Sequence, residues 1–340
     1  MLKIGLIGAG FMGGMHAACY KALAEKDVTV VAVADLDTAK ANAAAQTFGA
    51  DIYSTGYELI EKADVDAIDI CLPTYLHTKH AIAAMKKGKA VFIEKPVCLN
   101  ADEVELLLKA QRETQVQVMA GQCIRSWPEY RWLKRTLDSG IYGGIRSGVF
   151  HRVSPKPAWA WDNWLHKTEC SGSVALDLHI HDSDYIRYLL GEPGLVSSDV
   201  MRDSDGVIQQ IFTNYRFGET LITAEGGWDY PADFPFSMSF RIMFEKATAV
   251  FDSATIPLTV YPNTGGEIVP EIDIVNHEND IGGNISSLSG YYNELKYFTE
   301  RLNNNQPIEL ATLKDAARSV ELVLKEIAIV GGVRRQGGNR

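Results

Sequence analysis

The sequence has no apolar run near the roughly 20 residues that a membrane-crossing helix needs; stretches such as 28–34 are far shorter, so no span is expected. A surplus of positive charge is lacking too: 33 Lys and Arg against 43 Asp and Glu leave a formal charge of -10 and a pI near 5.3. Such a balance offers little to a phosphate backbone or an anionic lipid surface, so nucleic acid and membranes are not expected partners. Paired cysteine motifs are missing as well. Cys19, Cys71, Cys98, Cys123 and Cys170 are odd in number and scattered, with no C-x-x-C spacing. That argues against a disulfide framework or a zinc ribbon and predicts reduced thiols in the cytoplasm.

What is present is a 46% hydrophobic chain of 340 residues, enough for one large or two ordinary domains. Its start, Met1-Leu2-Lys3 and an apolar run, loosely imitates a signal peptide, but the patterned glycines read better as strand, turn and helix. Strands are predicted at 2–7, 28–34, 67–71, 90–93 and 116–120, with alanine-rich helical patterns between them. Strand and helix alternating in this way predict a parallel sheet covered on both faces. After Gln122 the rhythm changes: a helix at 128–139, then from Ile145 long alternating runs, with strands at 208–215, 220–226, 237–244 and 249–251, suggesting a mainly antiparallel sheet. Helices are predicted at 173–190, 289–302 and 313–330, and loose ends at 303–306 and 334–340. The expected fold class is α/β: a doubly wound Rossmann domain over 1–122, then an α+β domain over 123–340 with a large open sheet.

Gly8-Ala9-Gly10-Phe11-Met12-Gly13 is a G-x-G-x-x-G directly after a strand and opening a helix. Glycine there permits a tight turn, close approach of backbone to a pyrophosphate, and close packing of helix on strand. The next strand ends at Asp35, near the offset expected for the acid that holds a ribose diol. Opposite a 2'-phosphate, Asp35 would meet about 4 kcal/mol of repulsion per charge pair at ~4 Å and an effective dielectric of ~20, so NAD is favoured over NADP. Leu36 brings no compensating charge, although Lys40 lies nearby in sequence. The alternative is that Asp35 caps the following helix.

Two further strand ends carry polar turns where doubly wound sheets place ligands: Leu72-Pro73-Thr74-Tyr75-Leu76-His77 and Glu94-Lys95-Pro96. If 173–190 is helical, Asp177 and His181 share one face, where a carboxylate can orient an imidazole. Histidine suits removal of an alcohol proton, and an amine such as Lys95 can stabilise a developing alkoxide. Asp177, His179 and His181 are potential metal donors, but residues two apart on a helix do not converge, so no metal is expected. His151-Arg152 and Trp159, Trp161 and Trp164 lie in or beside a loop suited either to stacking on a sugar and binding its hydroxyls or to plain packing.

Together these features resemble the glucose-fructose oxidoreductase and inositol dehydrogenase (Gfo/Idh/MocA) family across nearly the whole chain. The matching residues are Gly8 to Gly13, Asp35, Pro73-Thr74-x-x-His77, Glu94-Lys95-Pro96, Ser139-Gly140-x-x-Gly143, Asp177-x-x-x-His181 with Asp184, and Tyr292-x-Glu294-Leu295. The resemblance implies a catalytic trio of Lys95, Asp177 and His181. It implies cofactor contacts from Gly8, Gly10, Phe11, Met12, Gly13, Asp35, Leu72, Pro73, Thr74, His77, Glu94, Lys95 and Gln122. Arg125, His151, Trp164, His179, Trp228 and Tyr230 would face substrate, and the open sheet would join subunits into a homodimer or homotetramer. This chain has His179 where the family usually has glycine, Ser171-Gly172-Ser173 at the usual glycine cluster, and Gln122 or Cys123 at the usual asparagine. The implied activity is NAD-dependent oxidation of a secondary hydroxyl of a cyclic polyol, sugar or glycoside to a ketone, or the reverse. The rivals are a redox-neutral glycosidase with tightly bound NAD and a nucleotide-sensing protein without catalysis.

Overall fold

The structure, a computed structural model, describes residues 1–24, 27–157, 160–273 and 288–332. The chain divides into two compact units. One comprises Met1–Arg131, Ala160–Ser171 and Asp273–Val320; the other comprises Trp132–Trp159, Gly172–Ile272 and Glu321–Arg340.

The first unit holds a six-stranded sheet with every pair parallel. Its elements run β1 (Leu2–Ile7), α1 (Phe11–Ala22), β2 (Val28–Ala34), α2 (Thr38–Phe48), β3 (Asp51–Tyr53), α3 (Gly56–Lys62), β4 (Ala67–Ile70), α4 (His77–Lys86), β5 (Ala90–Glu94), α5 (Ala101–Thr114) and β6 (Val118–Gly121). The order β3-β2-β1-β4-β5-β6 reverses direction beside β1, which opens a crevice at the carboxyl ends of β1 and β4. Central strands are apolar along their length because helices cover both faces; every residue of β4 is buried. Asp37, Thr55 and Asn100 cap α2, α3 and α5 by accepting backbone N–H bonds. No side chain caps α1, whose N-cap is Gly10.

The chain continues through α6 (Pro128–Ser139), β7 (Ile145–Pro155), α7 (Thr168–Ser171), a π turn (Ala175–His179) and α8 (Ile180–Leu190). Then come β8 (Leu195–Arg202), β9 (Ile208–Phe217), β10 (Thr220–Tyr230), β11 (Ser237–Phe244), β12 (Ala247–Asp252), β13 (Ile256–Pro262), α9 (Ser289–Asn303) and α10 (Leu313–Gly332). The second unit's seven-stranded sheet has the order β13-β12-β11-β7-β10-β9-β8, parallel only between β7 and β10. Register decides what each face carries. Phe150, Ala224, Phe240 and Tyr215 lie buried on the face that α8 covers, with Phe150 packed edge-on against Tyr185 of α8. Val149, Leu221 and Met243 point the other way and stay more than a third exposed.

The α/β class and both sheets are as expected, while three edge strands and one helix differ. β3, β8 and β13 were not anticipated, and the predicted 173–190 helix opens instead as a π turn after Ser173, whose φ is +63. Residues 303–306 form a turn in which the Gln306 amide donates to the Arg301 carbonyl. Trp159 and the 334–340 tail lie outside the described residues. All five cysteines are free. Among the described residues, no helix is long and apolar enough to cross a membrane.

Candidate active site

The nucleotide cradle is built from the ends of β1 and β2. Gly8 sits at φ +93 and its amide donates to the Ala34 carbonyl at 2.8 Å, tying the turn to the end of β2. A Cβ on Gly13 would lie 1.9 Å from the Gly8 carbonyl oxygen, so only glycine lets α1 approach this closely. Around Gly10 the Cβ position is open, and no side chain caps the start of α1, where a helix N-terminus favours an anion. Half-buried Phe11 and Met12 open the helix. Asp35, half-buried just past β2, accepts the Ala9 amide on Oδ2 and the Asp37 amide on Oδ1, both at 2.7 Å. The cap of α2 is Asp37 rather than Asp35. Lys40 lies 3.6 Å from Asp37, and Leu36 is exposed, so nothing here is arranged for a 2'-phosphate.

Further residues gather at the ends of β4, β5 and β6. Leu72 and Pro73 are half-buried, and Thr74 begins a short 3-10 turn. His77 is 1% exposed, with Nδ1 2.8 Å from the Pro96 carbonyl and Nε2 2.6 Å from the Leu72 carbonyl. Burial holds its pKa below the ordinary value against the pull of these two carbonyls, so the neutral ring donates to one at a time. The structure thus makes His77 a clamp between two strand-end turns, whereas the family resemblance had implied a contact with the cofactor. Glu94 is buried and Lys95 half-buried. Gln122, 2% exposed just past β6, has neither amide atom hydrogen-bonded within the protein. A buried, unsatisfied amide at a strand end is a group waiting for a ligand. Together with the glycine cradle and Asp35, it fits NAD.

Beneath these turns lies a polar cluster that sequence reasoning missed. His16 of α1 is fully buried, with Nδ1 2.8 Å from Asp69 and Nε2 3.0 Å from Glu94. Burial lowers its pKa, but the Asp69 carboxylate and Cys71 outweigh that and raise it well above 6.5. The imidazolium therefore bridges two carboxylates, and the other Glu94 oxygen accepts the Lys95 amide at 3.0 Å. Burial, with Glu94 as neighbour, keeps Glu294 of α9 protonated by raising its pKa well above the usual range. His16, Asp69 and Cys71, and likewise His16, Glu94 and Glu294, bring donor atoms within 4.8 Å of one another. Both His16 nitrogens are already committed to hydrogen bonds there. A signal was present in the sequence: Asp69 stands inside an otherwise apolar strand.

Arg125 is 4% exposed and pairs with Asp315 at 3.2 Å. Exposed Trp161 and half-buried Trp164 sit on a short turn, Trp161–His166, that leads to α7; α7 packs on the Thr74–Leu76 turn.

In the second unit, Asp177 is half-buried on the π turn and His181 opens α8 at 8% exposure. Their neighbours are core. Arg152 holds Asp182 through two bonds of 2.9 and 3.0 Å, with Asp182 fully buried, so of the two roles open to it in the sequence Arg152 takes the packing one, serving α8. His179 is fully buried and bonds Glu326 at 2.9 Å. Trp228 is 1% exposed, its indole donating to Gln209. Neither presents the surface that a substrate wall needs. His151 and Tyr230 also differ from expectation. His151 shares the face of Val149, away from α8, and both His151 and Tyr230 bond Glu225 at 3.1 Å. Hydrogen bonding to Glu225 raises the His151 pKa and lowers that of Glu225. A strand alternates faces with each residue, so His151 cannot join Phe150 and Arg152 on the α8 side.

An uncapped glycine cradle at the switch point of a β3-β2-β1-β4-β5-β6 sheet, with an acid fixed past β2, defines a Rossmann dinucleotide-binding protein. Residues 2–122 match the family model described as an oxidoreductase family with an NAD-binding Rossmann fold, and residues 130–250 match the GFO/IDH/MocA C-terminal domain. The chain belongs to the GFO/IDH/MocA oxidoreductase family. It is 34% identical over 192 residues to the inositol 2-dehydrogenase of Rhizobium meliloti (strain 1021), a match covering 56% of each chain. It is 30% identical over 210 residues to the levoglucosan dehydrogenase of Pseudarthrobacter phenanthrenivorans, covering 58% of this chain and 53% of that one. These matches thus span little more than half the length of either relative. Among solved structures, a levoglucosan dehydrogenase in complex with NADH and levoglucosan superposes with a TM-score of 0.83 at 20% identity, covering 97% of both chains. An oxidoreductase from Agrobacterium radiobacter in complex with NAD+, L-tartaric acid and magnesium gives 0.83 at 18% identity, covering 97% of this chain and 96% of that one. At such identities the likeness is one of fold.

Proposed function

We propose that this chain is an NAD-dependent oxidoreductase that oxidises a secondary hydroxyl of a cyclic polyol, sugar or glycoside to a ketone, or reduces the ketone in reverse. The observation that carries this is the cradle itself: the Gly8–Gly13 turn, the uncapped start of α1, and Asp35 held by the Ala9 and Asp37 amides. The substrate class follows from relatives named for inositol and levoglucosan. Bound NAD supplies the hydride acceptor. His181 accepts the hydroxyl proton, Lys95 donates a hydrogen bond to the oxygen as negative charge develops, and Asp177 orients His181. Gln122 and Thr74 contact the cofactor, and Trp164 offers a face to the sugar ring.

Assembly into a homodimer or homotetramer through the outer face of the second sheet belongs to the same proposal. Val149, Leu221 and Met243 are apolar side chains exposed there for a second copy to cover. A cytoplasmic location accords with five free cysteines.

The test is NADH absorbance while the protein, with NAD and separately with NADP, is offered inositols, aldoses, uronates and glycosides. Turnover with NAD and one ring class is expected. Lys95→Ala should abolish turnover while NAD binding, followed by calorimetry, is largely kept. Wild-type turnover in that variant would remove Lys95 from the reaction, and failure of the wild type to bind either nucleotide would refute the whole assignment.

A further inference from the structure

His179 stands two residues from each of the groups assigned above to proton transfer, Asp177 and His181. Positions two apart on a helical turn do not face one another, so the His179 ring leaves the turn in a different direction. It enters the core over Gly226 of β10, where a Cβ would lie 2.7 Å from the His179 Cβ and 3.0 Å from its Nδ1. Glycine at 226 and histidine at 179 are thus a fitted pair. At the far end of the ring, Nε2 lies 2.9 Å from Glu326 of α10. The same carboxylate accepts the Thr213 hydroxyl at 3.2 Å and, on its other oxygen, the Tyr215 hydroxyl at 2.7 Å. Tyr215 in turn lies 2.8 Å from the Ser183 hydroxyl, one helical turn beyond His179, and that hydroxyl donates to the His179 carbonyl at 3.3 Å. The circuit leaves the chain at 179 and returns at 183. Asp182, between them, is held by Arg152 of β7.

We infer that Glu326 is a positioning residue for His181, acting through His179 and Tyr215 to lock the π turn and the first turn of α8. This inference rests on the role assigned to His181 under Proposed function. His181 is bracketed by anchored residues at 179, 182 and 183, reaching three separate elements: α10, β7 and β9. The side chains of His179, which ends the π turn, and of Ser183 are tied to α10 and β9, and the buried carboxylate of Glu326 is where these bonds meet. Freed of it, the turn can relax toward regular helix and carry the His181 ring with it.

The test uses full-length protein labelled with 15N-histidine, the His181 ring signals being assigned from their loss in His181→Gln. Glu326→Gln and His179→Gln are compared with wild type at one pH. Both variants are expected to shift or split the His181 ring signals. Both should lower kcat for the best wild-type substrate among myo-inositol, scyllo-inositol and levoglucosan by roughly 100-fold, the scale of a ~1 Å misplacement. The KM for NAD should stay within about twofold, a split that general loss of folded protein would not give. Unchanged His181 signals in both variants overturn the inference whatever the kinetics. Altered signals with no wild-type turnover uphold it and instead refute the proposed reaction.

Discussion

Replacing Asp182 by leucine should cost the second unit more than any exposed-surface change. Asp182 is fully buried and Arg152 2% exposed, and the guanidinium reaches both carboxylate oxygens at 2.9 and 3.0 Å. Each charge-assisted bond contributes about 1.5–3 kcal/mol. Breaking a buried pair by removing one partner costs about 3–5 kcal/mol, because a charge is left without its counter-ion. The two figures agree near 4 kcal/mol, or roughly a 10³-fold loss in the folding equilibrium constant. With a urea m value of ~2–3 kcal/mol per molar, the midpoint should fall by about 1–2 M, read by far-UV circular dichroism. The double variant Arg152→Met, Asp182→Leu replaces both charges with apolar groups of similar reach. It should recover most of the loss, since apolar replacement of a whole buried pair is often neutral. Two results would refute this reasoning: a single variant within about 1 kcal/mol of wild type, or a double variant whose loss is the sum of the two single losses.

Asp35→Ser should weaken NAD far more than NADP. It removes the ribose acceptor and the repulsion that a 2'-phosphate would meet, about 4 kcal/mol at ~4 Å and an effective dielectric of ~20. Titration of both nucleotides on the variant checks this, and an unchanged NAD to NADP preference would contradict it. The His16 bridge predicts a pH dependence of definite sign. Its folded pKa is raised well above 6.5, so its stabilisation is fully present below pH 6.5 and is lost as pH rises through the folded value. The stability gap between wild type and His16→Gln should therefore be largest in weak acid and shrink toward alkaline pH. Urea midpoints measured across that range would disprove the assignment if the gap widened with pH.

The parts of this protein that could be read from the sequence are those whose causes are local. The strands of the first sheet stand out because parallel strands buried on both faces are apolar runs. The cradle stands out because three glycines within six residues and an acid after the next strand follow from one strand-turn-helix geometry. β3 escapes notice because it is three residues long on a sheet edge, and β8 because its residues, LVSSDVMR, do not alternate apolar with polar although their burial does. The π turn escapes because widening a helical turn leaves the spacing of its apolar residues almost intact. Partners far apart in the chain, such as His16 with Glu94 and His179 with Glu326, are set only when the elements pack. The placement of His151 was within reach. It has the parity of half-exposed Val149 rather than of buried Phe150, and a strand offers no third direction.

The alternation of β10 from Leu221 to Gly226 has a consequence for how the protein can change. Ala224, Gly226 and Trp228 point inward, while Thr223 and Glu225 point out. Substitution at an outward position alters one surface and leaves the packing around His179 as it was. Inserting a single residue between Leu221 and Glu225 is a different event. It would exchange the two sets, driving Glu225 toward the place where His179 needs glycine. Lineages carrying this sheet should accumulate replacements at every second position of β10 and gain or lose residues only at its ends, such as the Gly218–Glu219 turn.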